Sequence, residues 1–270
     1  MRGASRGAAL AGERALASAL AGGASASDLA EELFAVTGAV DANATLRRAL
    51  ADPSREGAAK RDLVGRLFSG KLGAGALGVL ADLAAERWST ERDLTDTTER
   101  LAVRSVLETA EREGRLDTVE EELFRFERIV AGDPALRDAI TNPQGVAEGK
   151  ADLVSQLLDG KVAPETVRLA RQAVLAPRGR KFSRTIEEFL QVAAARREQL
   201  TAVVTSAVPL DEASRGRLST ALTTLYGKPV LLQVVVDEDV VGGLKVRVGD
   251  EVIDGTIARK LDGARRHLAG

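Results

Sequence analysis

The 270-residue chain carries 38 Lys and Arg against 40 Asp and Glu, a formal net charge of −2 with both signs interspersed, so no global field draws it to DNA or to an anionic membrane. With 44% hydrophobic and 29% charged residues it has the composition of a folded globular protein, and it is long enough for about two domains. The absence of cysteine excludes disulfides, thiolate nucleophiles and thiolate zinc sites together, and at 3% aromatic residues the cores must be built from Leu, Val and Ala.

Residues 1–23 are rich in Ala and Arg and poor in acids, a composition that imitates a transit peptide. Leu10, Leu16 and Leu20 on that Ala-rich background read instead as a first helix of the fold. Next comes a stripe at steps of four, three and four, formed by Leu29, Leu33, Val36 and Val40, which is one face of a helix. Asp52-Pro53 interrupts the helical pattern because proline disfavours helix in the residue before it. Gly70 follows an apolar helical run, where a left-handed residue commonly ends a helix.

The same marks return 90 residues later. Glu31-Glu32-Leu33-Phe34 becomes Glu121-Glu122-Leu123-Phe124, and Leu46, Arg47, Ala49 and Pro53 become Leu136, Arg137, Ala139 and Pro143. Lys60, Asp62, Leu63, Val64, Leu67, Gly70 and Lys71 recur as Lys150, Asp152, Leu153, Val154, Leu157, Gly160 and Lys161 with no gap. Val119, Leu123, Phe126 and Val130 repeat the helical stripe. Each copy is therefore a bundle of short helices, with one helix from Asp93 to Leu116 leading from copy one into copy two. A helix over about 184–199 closes copy two.

Beyond that the periodicity changes. Leu200–Val208 reads as a strand ended by Pro209, followed by a helix capped by Asp211, with Leu218, Leu222 and Leu225 on its apolar face and Gly227 at its end. Val230–Val236 reads as a strand buried on both faces. Leu244, Val246 and Val248 alternate with Lys245 and Arg247, a strand with one wet face, and a Gly249-Asp250 turn returns the chain through Glu251–Ile253. Thr256 caps a last helix carrying Ile257, Leu261, Ala264 and Leu268. The expected fold is mainly α with a small α+β part: tandem helical bundles at 1–104 and 105–199, then an α+β domain at 200–270.

Catalytic constellations are scarce. The one histidine, His267, supports neither a histidine-based triad nor a His/Cys metal cluster. Gly242, Gly243, Gly249 and Gly255 match neither a Walker loop nor a dinucleotide fingerprint and read as turn residues. Asp237, Glu238 and Asp239 lack the spacing of a calcium loop. Adjacent carboxylates such as Glu31 and Glu32 point about 100° apart on a helix and cannot face each other across a substrate. Arg178, Arg180, Lys181 and Arg184 around Phe182 offer a nucleic-acid contact, although a solvated turn is the simpler reading. No cofactor is expected, and binding by surfaces is the indicated role. A small-ligand enzyme built on the α+β part, and a helical nucleic-acid-binding or other scaffold module, are the competing readings.

The run VVGGLKVRVGDEVIDGTIARKL, Val240 to Leu261, closely resembles the signature of the delta subunits of F-type ATP synthases, the family of the mitochondrial oligomycin-sensitivity-conferring protein. An ordinary member has one helical bundle, so the duplicated bundle resembles the longer actinobacterial form, as does the excess of 30 Arg over 8 Lys. The resemblance implies a non-catalytic peripheral-stalk subunit that ties the catalytic α/β head to the b subunits. Its location would be the cytoplasmic face of the cell membrane, reached only through the complex, with no nucleic acid among its partners. It further implies that an N-terminal helix of the head's α subunit lies between helices one and five of a bundle. The walls of that groove would be Leu10, Leu16, Leu77 and Leu80 in copy one and Val103, Val106, Val167 and Ala170 in copy two, while the α+β domain would meet the C-terminal ends of the b subunits.

Overall fold

The structure, a computed structural model, describes residues 3–255 apart from 199, 227, 238, 239, 241, 249 and 250. The chain falls into two compact units, Met1–Arg196 and Arg197–Gly270.

Copy one comprises α1 (Ala4–Ala21), α2 (Ala26–Ala42), α3 (Ala44–Ala51), α4 (Gly57–Phe68), α5 (Ala74–Ala85) and α6 (Glu91–Arg112). Copy two continues with α7 (Leu116–Gly132), α8 (Pro134–Thr141), α9 (Ala147–Leu158), α10 (Pro164–Leu175) and α11 (Phe182–Glu198). The repeat is three-dimensional in its details. Asn43 caps α3 by accepting from the Leu46 amide at 3.0 Å, and Asp133 caps α8 through Leu136 at the same distance. Asp52 accepts from the Ser54 amide and Asn142 from that of Gln144, each at 2.9 Å, so the two Asx-Pro breaks form the same turn. Gly70 and Gly160 both stand at φ 72°, a left-handed backbone that a Cβ would strain. Both predicted stripes are core: Leu29, Leu33, Val36 and Val40, and Val119, Leu123, Phe126 and Val130, are all buried.

Shifting α1 by 90 residues lands on 94–111, inside α6, and shifting α6 lands on 181–202, the place of α11. The single helix α6 is thus the sixth helix of copy one and the first of copy two. A helix with two jobs is covered on two sides, and α6 is buried along nearly its whole length although its sequence is mostly polar. It manages this by pairing its polar groups. The Thr98 and Ser105 hydroxyls donate to the carbonyls of Leu94 and Leu101, and Arg104 pairs with Glu13 of α1. Burial outweighs Glu13 in pulling the Arg104 guanidinium below its ordinary pKa. Glu108 and Glu111 receive Arg196 of α11. One continuous apolar core runs from Ala8 to Ala193, and the expected boundary between residues 104 and 105 falls inside α6, so Met1–Arg196 is one unit rather than two. The helix expected to reach Leu116 stops at Arg112, because Gly114 turns left-handed at φ 67° and starts a new helix.

The second unit has β1 (Leu200–Ser206), α12 (Glu212–Tyr226), β2 (Val230–Val236), β3 (Leu244–Val248) and β4 (Glu251–Asp254), with sheet order β2-β1-β3-β4. β1 is parallel to β2 across α12 and antiparallel to β3, and β3 is antiparallel to β4 with Val248 opposite Glu251. Ala202, Val204, Leu222, Val230, Val246 and Val248 form its core. Three expectations are corrected. β1 ends at Ser206, two residues before the expected Val208, where the Ser206 hydroxyl donates to the Val208 carbonyl at 2.6 Å. On α12 the face turned to the sheet is Leu218, Leu222 and Tyr226, spaced by four, while Leu225 is 64% exposed. β2 is not covered on both faces, since Val235 and Val236, which point to opposite faces, are 45% and 48% exposed, and among the described residues it is an edge strand of the sheet. The Gly249-Asp250 turn, the helix expected from Thr256, and His267 lie outside the described residues.

Candidate functional site

The residues expected to line a groove divide sharply. Leu10 is 51% exposed on α1, whereas Leu77 on α5 and Val167 on α10 are half-buried against the core. Leu16, Leu80, Val103, Val106 and Ala170 are core residues, enclosed by the chain itself. The reason is spacing: on these short helices the apolar positions three and four apart face inward, and the helix-one role in copy two falls to α6, which has almost no free face.

The adjacent glutamates have separate tasks. The Glu32 carboxylate accepts from the Gly73 amide at 2.9 Å, and Glu122 accepts from the Ala163 amide at 2.9 Å and from the Thr166 hydroxyl at 2.6 Å. Each therefore satisfies a free amide at the start of the fifth helix of its own copy, a cap supplied from another helix. Their neighbours Glu31 and Glu121 point outward, as residues about 100° apart on a helix must.

Glu31 belongs to a seam between the copies. Arg168 of α10 makes a two-point ion pair with it, and the Arg168 guanidinium carbon lies 4.4 Å from the centre of the Phe34 ring. Phe34 is 5% exposed beneath that cation. Farther along, the turn between α10 and α11 sends Arg178 inward. Its guanidinium meets Asp96 at 2.6 Å, Glu99 at 2.8 Å and Asp41 at 3.3 Å. Arg180 meets Glu99 and Glu188, each at 2.6 Å. The Arg178 and Glu99 side chains are both 4% exposed, so this is a desolvated cluster joining α2, α6 and α11. Burial pulls both guanidinium groups down, but the surrounding carboxylates outweigh it and hold them above their ordinary pKa. Arg178 takes φ 51°, an uncommon backbone for a side-chain-bearing residue, held by the cluster it serves.

The basic turn is thus solvated only in part, at exposed Lys181 and Arg184. Arg178 and Arg180 are engaged inside the chain, Arg184 pairs with Glu187 and Glu188, and Phe182 packs edge-to-face on Phe126 at 5.9 Å. A signal for this seam was present in the failures of the repeat. Arg168 stands where copy one has Gly78, and Arg178 where it has Trp88. The arginines that reach across the seam are ones the copies do not share.

Comparison with known proteins places this architecture. The sequence pattern of the ATP synthase delta (OSCP) subunit matches residues 103–268, which is copy two and the α+β unit. The ATP synthase subunit delta of Kineococcus radiotolerans is 52% identical over 92% of this chain and 90% of its own length. Its counterparts from Streptomyces griseus and Streptomyces avermitilis are 45% and 46% identical over 91% and 89% of the chain, and over 90% and 88% of their own lengths. A chain of the Toxoplasma gondii mitochondrial ATP synthase is also similar, at 17% identity and a TM-score of 0.29 over 62% of this chain and 95% of that one. The family pattern begins at residue 103, whereas the bacterial matches cover 89–92% of the chain and so take in most of copy one as well. The chain belongs to the ATP synthase delta (OSCP) subunit family.

Proposed function

We propose that this chain is a non-catalytic peripheral-stalk subunit of an F-type ATP synthase, tying the catalytic head to the b subunits so that the head does not turn with the rotor. The observation that carries the reading is the match over nine-tenths of the chain, at 52% identity, to a protein named ATP synthase subunit delta. Torque resistance asks for a stiff body, and the continuous core of the first unit with its desolvated ion cluster supplies one. No helix among the described residues is long and apolar enough to cross a membrane, and attachment to the membrane-bound complex is proposed to run through partner subunits.

The groove between first and fifth helices is the proposed seat for an N-terminal helix of the head's α subunit, and copy one is the favoured receiver. There α1 packs on α5 with Leu10 exposed and Leu77 half-buried. In copy two the same groove would lie between α6 and α10, but α2 already packs along α6 and reaches α10 through Glu31 and Phe34. Val167 is then left a minor role. The α+β unit is proposed to meet the ends of the b subunits, so that two linked contacts hold the head more firmly than either alone.

The test is purification of the assembled enzyme from membranes and identification of its subunits. Recovery of α, β and b with the chain is expected, and their absence would overturn the reading. Deleting 209–270 should release b while α is retained, and loss of both together would contradict the division of labour. Leu10→Glu should weaken retention of α without lowering the melting temperature, since the side chain is on the surface.

A further inference from the structure

The face of α2 that copy two covers has a twin in copy two that nothing among the described residues covers. Glu31 and Phe34, three apart on α2, recur as Glu121 and Phe124 on α7, but Phe34 is 5% exposed and Phe124 is 56% exposed. We infer that the Phe124 face of α7 is a docking surface for an amphipathic helix of another subunit of the complex, one that presents an arginine to Phe124 and Glu121 as Arg168 does to Phe34 and Glu31.

The seated occupant of the twin face defines the chemistry. There the partner is a helix, and its contact is a guanidinium that lies on the ring and forks onto the carboxylate one turn away. Around Phe124 the charge is more strongly set for a cation than around Phe34. Residues three, four and seven positions away share its side of the helix. They include Asp117, Glu121 and Glu127, with part-buried Glu120 beside them and Arg128 as the one cation, whereas the corresponding places around Phe34 hold Ser27, Glu31, Thr37, Ala30 and Gly38, with Asp41, engaged by Arg178, as the one further carboxylate. Glu121 is occupied by Arg125, one turn along its own helix, a pair with both side chains at least 65% exposed. Such a pair is worth little and is readily exchanged for a partner's arginine.

A second copy of this chain does not fit. The surface homologous to the covering one is α5, and it has exposed Gly78 where α10 has Arg168. Head-to-tail stacking would therefore set Phe124 against a helix lacking the cation.

The inference rests on the delta-subunit reading and is tested in the assembled enzyme, with p-benzoylphenylalanine in place of Phe124. Irradiation is expected to join the chain to a helical segment of another subunit that has an arginine within one turn of the cross-link. Glu121→Arg in the same chain should reduce the yield about tenfold, the effect of placing like charges at a specific contact. No cross-link to another subunit, a cross-link to a second copy, or one to a segment without arginine would each overturn the proposal. An enzyme that assembles with the chain in place yet gives no cross-link defeats the docking surface alone. A chain that does not co-purify with the synthase subunits defeats the delta-subunit reading first.

Discussion

Arg178 illustrates what one residue contributes when it is buried with its counter-charges. Three carboxylates from two helices converge on it, and removing it leaves the desolvated Glu99 with Arg180 in place of two guanidinium partners. Arg178→Ala should lower stability by about 3–5 kcal/mol, read as a shift of the denaturation midpoint, whereas Arg184→Ala on the surface should change it by less than about 1 kcal/mol. Arg178→Lys should recover only part of the loss, because an ammonium cannot fork to carboxylates on two helices. The twin phenylalanines provide a second contrast. Phe34→Ala removes a buried ring and should cost about 3–5 kcal/mol, while Phe124→Ala in the isolated chain should lie within about 0.5 kcal/mol of wild type. Equal costs at the two positions would mean that the α7 face is already covered.

Helix boundaries are fixed by caps and turns that recur in both copies. Glu32 and Glu122 each reach across to the first turn of a fifth helix, a stabilisation that neither helix encodes in its own sequence. Glu122→Ala should cost about 1–2 kcal/mol, measured by chemical denaturation, and Thr166→Val a smaller amount because the amide contact remains. Gly70→Ala and Gly160→Ala should each cost about 1–2 kcal/mol from backbone strain alone, since an added Cβ meets nothing at either site. In the second unit Asp211 accepts from the Ser214 amide at 2.7 Å. Hydrogen bonds from the Ser214 side chain and backbone hold the Asp211 carboxyl below its ordinary pKa. A lowered folded-state pKa means that this contribution is complete above the unfolded value and fades as the pH falls through the folded one. Asp211→Asn should flatten the acid limb of α12 unfolding, followed by hydrogen exchange, while retaining most of the cap at neutral pH.

At the scale of the molecule the shared helix α6 couples the copies. Because it completes both, a fragment beginning at residue 91 keeps copy two but strips α1 and α2 from α6, exposing Leu94, Leu101 and Leu107, which are fully buried in the whole chain. Such a fragment should lose the sharp thermal transition of its helical circular dichroism and bind a hydrophobic dye, whereas the intact first unit should melt as one. Separate, unperturbed melting of the two copies would refute the coupling. The doubling therefore produces one unit with a continuous core rather than two separate domains, and on it copy one carries the proposed groove with Leu10 and copy two the proposed docking face with Phe124.

Read by itself, the sequence settled the repeat, the helical stripes, the Asx-Pro breaks, the glycine stops, the alternation of β3 and the family, because each depends on neighbours within a few residues or on a direct likeness between segments. It could not settle which apolar residues are core and which are surface on short Ala-rich helices, so five of the eight expected groove residues proved to be interior. Nor could it tell that the basic turn from Arg178 to Arg184 folds onto carboxylates such as Asp41, 137 positions away in sequence, or that VLLQVVV lies at a sheet edge. Those outcomes depend on contacts between distant segments. Burial of a charge is tolerable only where the tertiary fold brings its counter-charges, and local periodicity contains no information about where they are.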